Sequence, residues 1–332
     1  MSETENCDSS PKISVLIPVY KVEKYVGRCL RSLFANTIIA DCEVIIVDDC
    51  SPDDSMKVVA DVLEEFPAFA KNVVLRSHDC NRGLAAARNT ALLQAHGKYI
   101  ICVDSDDWVE PDYLEKLYVE AENSGADIVG CDLVREYKHR KEIFPIPLKE
   151  TSDENLRYLL LGAIPGWLHV KFIRASLFQN YERYWIDGIN MCEDLLVSAK
   201  LFYYAKKISY VSKVLYHYEC SNTASLSLSL SENKIKEIKL AYNELYKFLV
   251  EKGKRDRFQD ELIVCQFRLA NWILLSSVDI DKSYFDIFSK QKFYKNKYFS
   301  KFQKIYLFLC YHKLYFFPYS FIKLRRIRDR RK

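Results

Sequence analysis

Tyr99-Ile-Ile-Cys-Val-Asp-Ser-Asp-Asp107 is a short apolar run that ends in an Asp-x-Asp, and its reading decides the fold. An apolar run of this length bounded by polar residues reads as a buried strand, so Asp104 and Asp106 arrive at the strand's lip. They alternate with Ser105, and in extended chain alternate side chains point to one side. Two carboxylates placed so suit a hard divalent cation such as Mn2+ or Mg2+, which prefers oxygen ligands and shares them with phosphates. Asp and Ser are also common in turns that merely end strands. The functional reading is favoured because this is the last of four segments that each close an apolar run with polar or acidic residues.

Working outward, Ile13-Ser-Val-Leu-Ile17 reads as a strand leading through Pro18-Val-Tyr20 into a helix with Val22, Val26, Cys29, Leu30 and Leu33 on one face. Val44-Ile-Ile-Val47 runs into Asp48-Asp49, a helix follows from about Ser55 to Phe66, and Val73-Val-Leu75 is a third strand. An Ala-rich helix, Leu84 to Ala95, passes through Gly97 into the strand Tyr99–Val103. Alternation of this kind implies parallel strands with right-handed crossovers, and ligands gather beyond the carboxyl ends of such strands. Those ends carry Pro18–Tyr20, Asp48-Asp49 and Asp104-Ser105-Asp106. Tyr20 offers a stacking face and, with Pro18, would flank a base, while Asp49 would accept a hydrogen bond from a nucleobase imide N–H. Ser51-Pro52-Asp53-Asp54 is a helix-cap signature whatever Asp49 does.

Dinucleotide-binding dehydrogenases share the rhythm, but their phosphate turn needs closely spaced glycines, and no Gly-x-Gly occurs among the nine glycines. A Walker A loop, Gly-x-Ser-x-Gly and His-Glu-x-x-His are also missing. Phosphate must then be held by a metal and side chains.

At 332 residues, 49% apolar and 28% charged, the chain is long enough to bury a full core. Met1 to Lys12 is polar and lacks the apolar core of a signal peptide, and the eleven cysteines stand singly with no Cys-x-x-Cys. Both features predict reduced thiols in the cytoplasm. The net charge of +4 hides an asymmetry: residues 292–332 hold thirteen Lys or Arg against Asp329 alone, while the preceding residues sum to −8. The same 41 residues contain thirteen Phe or Tyr, yet no apolar stretch approaches the ~18 to 20 residues that span a bilayer. Rings and cations together predict a segment lying in the headgroup layer of an anionic membrane rather than binding nucleic acid. Between them, Ser231 to Gly253 and about Asp260 to Ser276 read as helices of an extension.

Five stretches carry a resemblance: Ser14-Val-Leu-Ile-Pro-Val-Tyr20, Val47-Asp-Asp-Cys-Ser-Pro-Asp53, Asn81-Arg-Gly-Leu-Ala-Ala-Ala-Arg-Asn89, Asp104-Ser-Asp-Asp-Trp108, and Glu193-Asp194 ahead of an apolar helix. Together they resemble the family 2 glycosyltransferases, the inverting GT-A type of bacterial surface polysaccharide assembly. The resemblance implies an α/β GT-A fold with a mixed, mostly parallel central sheet and a C-terminal helical extension. Expected boundaries are a polar tail over 1–11, the GT-A domain over 12–220, a helical extension over 221–291 and the basic aromatic tail over 292–332. Asp106 is implied as metal ligand and Asp104 as a contact to the ribose or the metal's shell, with Ser105 in the donor site and Asp107 either supporting the metal ligands from behind or structural. Asn81, Arg82 and Arg88 fit the loop lining the diphosphate and sugar. Asp194 is implied as general base with Glu193 as its neighbour, although acids in a first helical turn are stabilised by the helix dipole in any case. Lys171, in Trp167-Leu-His-Val-Lys171, matches a lysine that steadies the departing diphosphate, and His217 is a candidate to complete the metal's coordination.

The implied activity is transfer of a sugar from a nucleotide-diphosphate sugar, UDP-sugar favoured, to a hydroxyl of a glycan or lipid-linked acceptor, with Mn2+ or Mg2+ as cofactor. The enzyme would be cytoplasmic and peripheral on the inner face of the plasma membrane. A sugar-1-phosphate nucleotidyltransferase would want a Gly-rich loop with Arg and Lys after the first strand, which Pro18-Val-Tyr-Lys-Val22 does not supply. A non-catalytic membrane scaffold would not need Asp104, Asp106 and Asp194.

Overall fold

Seven consecutive buried residues put β1 (Ile13–Val19) inside the sheet, which is why its sequence is a continuous apolar run rather than an alternation. A computed structural model describes residues 10–180, 184–222, 230–276 and 293–329. β1 pairs in parallel with β2 (Cys42–Asp48) on one side and β4 (Tyr99–Cys102) on the other, and β2 pairs with β3 (Val73–Ser77). The register sets Val19 opposite Asp48 and Asp48 opposite Ser77, so the carboxyl ends of neighbouring strands share one edge. The crossovers are α1 (Val26–Phe34), α2 (Ser55–Glu65) with the short α3 (Pro67–Ala70), and α4 (Leu84–Leu92). α4 stops short of Ala95 because its last turn tightens, Gln94 and Ala95 donating to carbonyls three residues back.

The sheet becomes mixed beyond β4. After β5 (Trp108–Val109) and α5 (Tyr113–Ser124) come β6 (Ile128–Tyr137), β7 (Arg140–Phe144) and α6 (Ser152–Leu161), then β8 (Lys171–Arg174), α7 (Glu193–Tyr204) and β9 (Ile208–Glu219). The strand order is β3-β2-β1-β4-β8-β6-β9-β5, with β7 on β6. β8 is antiparallel to both β4 and β6, whereas β9 runs parallel to β6. β8 carries the 167–171 segment to the edge where β4 ends.

Two compact units emerge: residues 1–155 with 164–224, and residues 156–163 with 225–332. The second is helical. α8 (Glu232–Glu251) starts on Ser231, whose hydroxyl accepts from Lys234 N, and α9 (Gln259–Ser276) follows. α10 (Lys301–Tyr311) opens with a capping box of Ser300 and Gln303, and α11 (Phe316–Asp329) follows it. Val264, Phe267, Ala270 and Leu274 of α9 share a core with Phe293, Phe299, Tyr306, Leu307, Cys310 and Ile322. Part of the tail's apolar content therefore builds this core, a use the headgroup-layer expectation had not assigned to it. Of the expected polar tail, residues 1–9 lie outside the described residues, as do 223–229 and 277–291 of the expected extension and 292 and 330–332 of the basic tail.

Candidate active site at the carboxyl edge of the sheet

Asp104, just past β4, is gripped from two sides. Its Oδ1 accepts from Arg88 Nη2 at 2.8 Å and its Oδ2 from His169 Nδ1 at 3.0 Å. Burial opposes its charge, but Arg88 and His169 overcome that and hold its carboxyl below the usual range. Asp106 accepts from Asn222 Nδ2 at 2.9 Å, and burial together with the charge of Asp104 raises its pKa. Asp107 is fully buried, accepting from Tyr216 Oη and from Glu219 N. Burial pushes it well above the usual range, with the charges of Asp106 and Asp104 adding to the effect. Ser105 is buried between them. Arg28, which the sequence did not single out, braces this loop by donating to Asp106 O and Glu219 Oε2, its guanidinium 3.6 Å from the Trp108 ring centroid.

Arg88 is the junction of the site. Only 1% exposed, it sends Nη1 to Glu193 Oε1 at 3.0 Å and Asp194 Oδ1 at 2.7 Å while Nη2 holds Asp104. Its two terminal nitrogens are thus taken by three carboxylates, so it ties the Asp-x-Asp to the acids of α7 instead of lining a diphosphate. Asp49 also departs from expectation. Its carboxylate accepts from His78 Nδ1 and Arg82 N on one oxygen and from Asn81 Nδ2 and Gly83 N on the other, at 2.7 to 3.0 Å. Four donors fill a carboxylate's four lone-pair sites, which leaves none for a base N–H. Asp49 organises the 81–83 loop, and Asn81 and Arg82 reach it through that cage. The Arg82 side chain is exposed and reaches Asp187 at 3.4 Å. Gly83, at φ +88°, is required here because a Cβ would stand 2.5 Å from Asn190 Oδ1. Pro18 is buried within β1, while the Tyr20 ring is exposed at the edge.

At the start of α7, Glu193 is buried. Burial, then the charge of Asp194, raises its pKa well above the ordinary carboxylate value, favouring the neutral form. The 165–167 loop presses on this helix start: a Cβ at Gly166 would meet Leu195 N at 2.8 Å, and Gly166 O accepts from Ser198 Oγ. Lys171 does not face solvent. Its Nζ donates to Pro165 O and Trp167 O, and burial lowers its pKa to about 7 despite the charge of Asp194. A buried amine committed to two carbonyls holds the 165–167 loop, which corrects its assignment to the departing diphosphate.

The histidine at the site is His169, not His217. His217 stacks on Trp108, and its Nδ1 and Nε2 meet Glu136 at 2.8 Å and Glu110 at 2.9 Å, so neither nitrogen is left for a cation. His169 was passed over although it lies in the stretch quoted for Lys171. Its Nδ1 donates to Asp104, its ring stacks on Tyr216, and its buried Nε2 has no hydrogen-bond partner among the described residues. With Nδ1 protonated, a neutral ring presents a lone pair at Nε2. Asp104, Asp107 and His169 each offer a ligand atom, all within 4.8 Å of one another. Oxygen and imidazole donors of this kind fit a divalent cation.

The family described as glycosyl transferase family 2 matches residues 14–181. The putative glycosyltransferase EpsH of Bacillus subtilis is 31% identical over 261 residues, 76% of this chain and 73% of its own. A crystal structure of S. aureus TarS with UDP-GlcNAc aligns at a TM-score of 0.62 and 20% identity, covering 91% of this chain and 88% of that one. The mannosyltransferase PcManGT of Pyrobaculum calidifontis, solved with GDP-Man and Mn2+, aligns at 0.52 and 14% identity over 80% and 76%. The fold of this chain is that of these transferases.

Proposed function

From the premise that this chain belongs to glycosyl transferase family 2, we propose that the carboxyl edge of its sheet transfers a sugar, with inversion, from a nucleotide-diphosphate sugar to a hydroxyl of a glycan or lipid-linked acceptor. UDP-sugar is favoured as donor, because the similar TarS binds UDP-GlcNAc. Assembly of a surface polysaccharide at the inner face of the membrane is the setting this reading implies. The family match speaks against the nucleotidyltransferase and scaffold alternatives.

The observation that carries the reading is the Arg88 junction, which joins the Asp-x-Asp to Asp194 in one hydrogen-bonded unit. Asp194, oriented by Arg88 Nη1, takes the acceptor hydroxyl's proton as that oxygen attacks the anomeric carbon and the nucleoside diphosphate leaves. Glu193 shares the same guanidinium nitrogen and fixes its direction. The Tyr20 ring offers the base a face. Asp104, Asp107 and His169 would hold a divalent cation, Mn2+ or Mg2+, and Asp106, the residue before Asp107, would add a carboxylate to it as the resemblance implies. When bound, such an ion supplies neutralising charge to the leaving diphosphate.

Titration calorimetry of UDP with Mn2+ tests the site: Asp106→Ala and His169→Ala should each abolish metal-dependent binding in folded protein. Unchanged affinity in both would refute the assignment. A screen of nucleotide sugars for released UDP or GDP then identifies the donor.

A further inference from the structure

We infer that the outer face of α10 and the first turn of α11 seat on an anionic lipid bilayer. α10 already uses one face for folding, burying Tyr306, Leu307 and Cys310. A second apolar stripe, Phe302, Ile305 and Phe308, follows at helical spacing and is exposed. Leu314, Phe316 and Phe317, next in the chain and at the start of α11, are exposed as well, Phe316 with 75% of its surface free. So many large apolar side chains exposed within one short helix and the turn after it mark a contact surface.

Charge selects the occupant. Lys301 and Lys313 are exposed beside the stripe, and residues 292–332 carry thirteen cations against one acid. A second copy of the chain would bring the same +12 and be repelled, whereas an anionic headgroup layer attracts each cation and admits the rings to a depth of about 5–10 Å. The surface deepens the membrane setting proposed above and is independent of the donor chemistry.

The test is co-sedimentation of the full-length protein with phosphatidylcholine vesicles that contain or lack phosphatidylglycerol. Full-length protein should pellet with the anionic vesicles, and raised salt should release part of it, since only the electrostatic share is screened. The combined Phe302→Ser, Ile305→Ser, Phe308→Ser and Phe316→Ser variant should lose on the order of tenfold or more in vesicle affinity with its melting temperature and UDP binding unchanged. Should that variant misfold, Lys301→Gln with Lys313→Gln, both at exposed positions, should weaken binding to anionic vesicles alone. Equal pelleting by variants and parent, or no pelleting of the parent, overturns the inference. A concentration-dependent dimer of the parent that the serine variant abolishes, without vesicle binding, assigns the surface to a second copy instead. Vesicle binding without UDP binding would sink the proposed function and leave this surface standing.

Discussion

Arg88 joins Asp104 to Glu193 and Asp194, and a guanidinium is the group that can do it. Its planar fork reaches Asp104 with one nitrogen and both acids of α7 with the other, a geometry an ammonium does not reproduce. Arg88→Lys should therefore keep charge in the pocket yet lose alignment: turnover should fall about 10²-fold or more, with the acceptor KM moved less than kcat. Unchanged turnover would show that the junction only supports the fold. Asp194→Asn keeps shape and removes the proposed base, so transfer should fall about 10²- to 10⁴-fold with UDP affinity retained; wild-type turnover would leave the acid only its helix-dipole role. At this scale the sequence singled out residues that the structure gathers at one edge, but not the hydrogen bonds that commit Arg88, Asp49 and Lys171 to partners within the protein. Arg88 and Asp49 were legible as special, but the partners that fill their hydrogen-bonding capacity lie in distant segments, such as Glu193 for Arg88 and His78 for Asp49. His169 and His217 looked alike in sequence, and only the pairing of β8 with β4, or of β9 with β5, separates them.

β1, β2 and β4 were readable because burial on both faces writes them as near-continuous apolar runs, whereas β3, partly exposed at the sheet's edge, was readable only from Val73-Val-Leu75. β5, β6, β8 and β9 left no comparable mark: β5 has two residues, β8 four, and β8 finds both its partners far away in sequence. One element boundary gives a sharp test. Gly166 abuts the backbone of Asp194 and Leu195, so Gly166→Ala should push the start of α7 and lower turnover by about tenfold or more with UDP binding intact; unaltered turnover would mean the loop yields instead. At the start of α2, Asp53 accepts from Ser51, Ser55 and Glu23 N. Burial is the largest single influence and raises its pKa, but these hydrogen bonds together outweigh it and set the pKa below the ordinary 3.8. Because the folded pKa lies below the unfolded one, its stabilisation is complete above about pH 4 and is lost as pH falls through the folded value. Asp53→Asn, which makes charged hydrogen bonds neutral, should cost about 1 kcal/mol near neutrality, and the gap from the parent should close in acid. A gap independent of pH in urea melts would assign the loss to packing.

For the whole molecule, the open question was whether the basic aromatic tail is an appendage or part of the body. Composition could show rings interleaved with cations, but not which rings face inward. The structure divides them: Phe293, Phe299 and Tyr306 join Val264, Phe267 and Leu274 of α9 in one core, while Phe302, Phe308 and Phe316 face out. No helix among the described residues is long and apolar enough to cross a membrane, so these outward rings do not belong to a span. A chain ending at Gln291 would strip the inner set from α9, and because apolar area returned to water costs about 25 cal/mol per Å², the helical unit should lose its cooperative melt or aggregate. Leu307→Ala is the finer probe. Leu307 is fully buried in this core, so its truncation should cost about 2–5 kcal/mol, lowering the denaturant midpoint with UDP affinity unchanged, since no residue assigned to donor or metal lies beyond Asn222. Phe302→Ser, one turn away on the exposed face, should move the midpoint by no more than about 0.5 kcal/mol. Equal costs at the two positions would mean that the tail does not have separate inner and outer faces.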